Sequence, residues 1–97
     1  MRYDVYVDLT RQLTDEEKSA VGNALDAIVP GSGYVGRKKP RTTTTKCIFS
    51  IEALTDTDAR TQAAQYADRI FREAGLDAEK YAIELHEAKS YRRVGTA

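Results

Sequence analysis

Ninety-seven residues carrying 15 basic and 15 acidic side chains have a formal net charge of zero. A chain of this size can fold as one domain around its own core, and its charge balance excludes a general attraction to nucleic acid or membrane. The lone cysteine, Cys47, excludes an intrachain disulfide and reads as a small buried apolar residue of a reducing compartment. No run approaches a membrane span, and the chain starts in a strand rather than a basic-then-apolar leader, so a cytoplasmic location is expected.

The first strand alternates, with Tyr3, Val5, Val7 and Leu9 on one side and Asp4, Tyr6 and Asp8 on the other. Period two with one apolar face marks a half-buried strand. Thr14 to Glu17 then spell a capping box, whose acids also suit the positive end of a helix. Val21, Ala24, Leu25 and Ile28 form the apolar stripe of that helix, which Pro30-Gly31 ends.

Residues 31–46 interrupt the helical pattern. Arg37, Lys38, Lys39, Arg41 and Lys46 give this stretch five cations after Gly36, with no acid between them. A Gly-rich approach, a basic centre with Pro40 and the Thr42–Thr45 exit read as a hairpin with a charged tip. Its second strand turns Cys47, Phe49 and Ile51 inward and Ile48, Ser50 and Glu52 outward, while its first strand, near Tyr34–Arg37, has no well-determined register. Thr55 caps a second helix with Ala59, Ala63, Tyr66, Ala67, Ile70 and Ala74 on its buried side, and Gly75 is its left-handed stop. The last expected strand places Tyr81, Ile83 and Leu85 inward and Ala82, Glu84 and His86 outward. Residues 89–97 lose the alternation and are expected to form a partly mobile tail beyond a single domain spanning 1–88.

The order strand, helix, two strands, helix, strand predicts an α+β fold, a ferredoxin-like βαββαβ sandwich. Its four-stranded antiparallel sheet has the order 4-1-3-2, with both helices on one face. The other face is open. A plausible register sets Asp4, Glu52 and His86 in one row there, but alternation alone makes such a face polar, so neither a metal site nor a catalytic site is assigned. No nucleophile–base pair, phosphate loop or zinc spacing occurs, and Gly31-Ser-Gly33 follows a helix rather than opening one. The chain is expected to be non-enzymatic and to need no cofactor, with metal-dependent or acid–base chemistry on the open sheet face as the minor alternative.

Val5-Tyr-Val-Asp8 resembles the first strand of the small ferredoxin-like proteins of CRISPR adaptation. That resemblance covers one strand and one helix and ends at the long basic hairpin, so no family is assigned. Single-stranded RNA readers of this topology stack bases on aromatics of the central strands. Here Ile48 and Ser50 stand where such aromatics are needed, and Asp4, Asp8, Glu52 and Glu84 would repel phosphates. Two contact surfaces remain. Tyr6, Ile48, Ser50 and Glu84 on the open face suit a protein partner, with a homodimer as the leading expectation. Arg37, Lys38, Lys39, Arg41 and Lys46 are the alternative, a nucleic-acid contact. Arg92 and Arg93 are expected at the far end of the sheet, outside that basic patch.

Overall fold

In a computed structural model, the described residues are 1–29, 34–37, 45–76, 79–90 and 92–96, with 34–37 and 96 described by their backbone alone. Five strands and two helices follow in the order β1 (Arg2–Leu9), α1 (Asp15–Ile28), β2 (Tyr34–Arg37), β3 (Thr45–Glu52), α2 (Asp56–Glu73), β4 (Tyr81–Glu87) and β5 (Arg93–Thr96). The sheet is antiparallel, in the order β2-β3-β1-β4-β5. The four expected strands are present, and a fifth extends the sheet beyond β4. No described helix is long and apolar enough to cross a membrane.

Alternation builds the core. Tyr3, Val5, Val7 and Leu9 from β1 are buried, as are Cys47, Phe49 and Ile51 from β3 and Ile83 and Leu85 from β4. Fully burying side chains of this size stabilises by about 1.5–3 kcal/mol each before chain entropy is counted. α1 contributes Val21, Ala24 and Leu25, and its start has both hydrogen bonds of the Thr14–Glu17 capping box. α2 brings Ala59, Ala63 and Ala67 to the sheet, followed by Ile70 and Phe71. Small residues four apart let the helix axis approach the strands closely. Around them, the Tyr66 ring meets Phe49 edge-on and the Phe71 ring lies 5.0 Å from that of Tyr81. Gly75 closes the helix at φ 77°, as its left-handed role requires. Cys47 is fully buried at mid-sheet, and burial pushes its thiol up to about 12.

Within 89–97, where a tail is expected, residues Arg93–Thr96 form an edge strand. The Glu87 amide donates to the Arg92 carbonyl to close the turn, and β5 pairs with β4 through Glu84–Thr96, Leu85–Gly95 and His86–Arg93. The register shifts between Leu85 and His86. A bulge of this kind places one additional residue on one strand, and here it lets Val94 pack against the core while Arg93 reaches the open face. Gly95 follows at φ 124°, a backbone conformation that side-chain-bearing residues rarely adopt. Arg92 bridges Glu87 and Asp56, and the buried Tyr3 donates its phenol proton to that same Asp56 at 2.8 Å.

Arg11, just after β1, ties separate segments together. Its guanidinium donates to Glu17 at the start of α1 and to Glu79 ahead of β4. Beside it, the Leu13 amide donates to the buried Thr45 hydroxyl, which donates onward to Gln12. Arg11, with the Thr14 amide, draws the Glu17 carboxyl from its ordinary 4.5 down to about 2. A carboxyl held below its unfolded value adds stability above that unfolded value and loses it as pH falls towards the folded one. The expected result is a drop in urea midpoint between about pH 5 and pH 2. Arg11→Ala should flatten that slope, and midpoints measured across the range check it.

Candidate interaction face

α1 and α2 cover the side of the sheet that holds the core. The other side is built from the alternate residues of β1, β3, β4 and β5, in rows set by backbone pairing. Arg2 stands opposite Glu52; Ser50, Asp4, His86 and Arg93 form the next row; Ile48, Tyr6 and Glu84 the third; Lys46, Asp8 and Ala82 the fourth. Glu52, expected level with Asp4 and His86, is therefore one row removed. A strand advances about 6.8 Å per two residues, so Asp4, Glu52 and His86 are not gathered. Among the described residues, no group of three His, Cys, Asp or Glu side chains is placed to hold a metal ion.

Tyr6 is the centre of this face. Its ring meets His86 edge-on, with centroids 5.1 Å apart and planes at 82°, and the Lys46 ammonium lies 4.8 Å above it. Both contacts use the ring's quadrupole, whose negative face attracts a cation. Ile48 flanks Tyr6 across β3, and both are half-buried by neighbours within the face.

The surrounding polar groups are joined to one another. Ser50 donates to Asp4 at 3.0 Å and accepts from Arg2 at 3.1 Å. Glu84 lies 3.1 Å from the His86 imidazole and 3.3 Å from the Arg93 guanidinium. Arg2, Lys46 and Arg93 face Asp4, Asp8, Glu52 and Glu84, so the signs are mixed and nearly balanced. Interlocked side chains have little rotamer freedom left to lose on contact.

The sequence-predicted residues thus divide. Tyr6, Ile48, Ser50 and Glu84 come together on one surface. Of the basic set, Lys46 belongs to this surface too, turned onto Tyr6. Arg37 pairs with Thr45 through its backbone, and Lys38, Lys39 and Arg41 lie outside the described residues. Arg93 is at the Asp4 end of the sheet and Lys46 at the Asp8 end, as expected from the topology. Two features escaped the sequence reading. Arg93 enters the face only because of the bulge in β5. Leu54, at 87% exposure the most open large apolar residue described, lies with Met1 beside a cavity of about 300 Å³ bordered by Glu52, Ala53, Asp58 and Gln62. Its position just before the Thr55 cap is the only signal the sequence offers.

Comparison with protein-family models, with curated proteins and with solved structures finds no match to this chain.

Proposed function

We propose that this chain is a small, non-enzymatic, ferredoxin-like interaction domain that binds itself or another protein through its open sheet face. The observation that carries the reading is the Ile48–Tyr6 centre inside a rim of mutually paired polar groups. An aromatic anchor within a polar rim suits a protein interface. Four carboxylates on the same surface disfavour phosphates, which a nucleic-acid contact must neutralise. The sheet order and the placement of both helices support the ferredoxin-like assignment, with β5 as an added edge strand.

Amide chemical-shift mapping tests the proposal, first on dilution of the protein and then on addition of nuclease-treated extract of its native host. Shifts concentrated at Tyr6, Ile48, Ser50 and Glu84 are the expected result. Shifts confined to α1 and α2 would overturn it. Mixed short nucleic acids form the control arm. Shifts across 37–46 that fade steeply with salt would reassign the contact to the basic segment.

A further inference from the structure

The open face, read above as the contact surface, has a charge order that selects its occupant. We infer that it takes a second copy of this chain, stacked sheet to sheet about a two-fold axis. That axis crosses the strands between the row of Asp4 and the row of Tyr6. The inference rests on the proposed use of this face and adds the partner and the register.

A two-fold axis lying across the strands exchanges rows while keeping each strand over its own copy. Placed between the second and third rows, it swaps those two and also swaps the first with the fourth. Along β3, Lys46 then faces the partner's Glu52, and Ile48 faces the partner's Ser50. Along β1, Arg2 faces the partner's Asp8, and the Tyr6 phenol can donate to the partner's Asp4. Along β4, His86 faces the partner's Glu84. Each of these charged contacts joins opposite signs or a donor to a carboxylate.

Three other placements fail on the same rows. An axis through the Tyr6 row sets Asp4 against the partner's Asp8 and Glu84 against the partner's Glu84. An axis through the Asp4 row sets Asp4 against the partner's Asp4 and Glu52 against the partner's Ile48. An axis along β1 brings every β1 charge onto its own copy. Like charges forced together across an interface are costly, so these three are disfavoured. An axis between β1 and β3, which sets Arg2 against the partner's Glu52 and Lys46 against the partner's Asp8, keeps opposite signs and is told apart by the charge-reversal test.

The dimensions permit it. Facing sheets pack about 10 Å apart, a gap that a lysine and a glutamate can span together. Aligned sheets cross at about 30°; this leaves the Tyr6 and Ile48 contacts near the axis and displaces the long Lys46 and Glu52 side chains sideways within their reach. Glu52 pairs with the Met1 ammonium of its own chain at 3.8 Å, yet its side chain is 78% exposed and open to a second cation. Four strands about 5 Å apart and about 20 Å long offer on the order of 400 Å² of sheet per copy. That is about half the per-partner area of a standard specific interface, so a weak, reversible dimer is expected.

Charge reversal in sedimentation equilibrium tests the register. Lys46→Glu alone, or Glu52→Lys alone, puts like charges together at both ends and should raise the dissociation constant on the order of 10-fold or more. Mixing the two single variants should restore association, because every contact between positions 46 and 52 across the mixed pair is again opposite in sign. The mixture contains the same two chains, so recovery cannot arise from a change in folding. Single variants that associate like wild type, or a mixture that does not recover, would overturn the register. If wild type dimerises and Tyr6→Asp does not, while charge reversal has no effect, the open face stands and only this arrangement falls. A wild type that stays monomeric at high micromolar concentration excludes the second copy, and shift mapping with host extract then judges the face by itself.

Discussion

Tyr6→Asp is expected to weaken association through the open face on the order of 100-fold, as loss of a central aromatic anchor does. The substitution removes the ring that His86 meets and Lys46 covers, and places a carboxylate between Asp4 and Asp8 on the same side of β1. Repulsion within the face therefore adds to the lost contact area. The side chain points away from the core, so far-ultraviolet circular dichroism should stay native in shape. Some loss of melting temperature is expected, because aromatic pairs across strands contribute roughly 0.2–1 kcal/mol. Tyr6→Ala separates the two effects by removing the ring without adding charge. Sedimentation velocity and thermal melts of both variants check the expectation. Association that survives both at wild-type strength would remove Tyr6 from the interface.

The largest expected loss of stability is at Phe49. Its ring is fully buried at mid-sheet, between the strands and Tyr66 of α2. Phe49→Ala removes most of that apolar surface and leaves a void that neighbouring β-branched side chains cannot readily fill. Such truncations cost about 3–5 kcal/mol, a large share of the 5–15 kcal/mol that typically separates folded from unfolded domains. The expected melting temperature falls by roughly 12–40 °C, from about 4–8 °C per kcal/mol for a domain of this size. Phe49→Leu keeps more of the volume and should fall much less. Equal losses for both variants would mean that packing at this position is not the source of the effect.

Much of this architecture is written in local pattern. Tyr3, Val5, Val7 and Leu9 alternate without a break, and the same residues are buried in the structure. Thr14 and Glu17 have the spacing that forms the capping box. What escaped lies where geometry departs from a simple period or joins distant residues. β5 could not be seen as a strand because the bulge at Val94 and the positive φ of Gly95 break its alternation. Phe71 is the exception: it continues the four-residue spacing of Ala59, Ala63 and Ala67, so its signal was present in the sequence although it was missed. Arg11 and Glu79 are 68 positions apart, and no local signal couples them. The displacement of Glu52 from Asp4 and His86 is a fact of strand register, which alternation leaves undetermined. The open face was therefore legible as a list of residues, while its rows, and hence its charge order, required the backbone pairing.

Cys47 makes the protein its own clock. Only the thiolate reacts with a disulfide or alkylating reagent, and this thiol is both enclosed and raised to about 12. Labelling must wait for the core face that holds Cys47 to be uncovered, by parting of the helices from the sheet or by unfolding. When reclosing outpaces labelling, the modification rate measures the population of that opened form. At high reagent and pH, it approaches the opening rate instead. A single native thiol thus gives both the free energy and the speed of core opening, with no added probe.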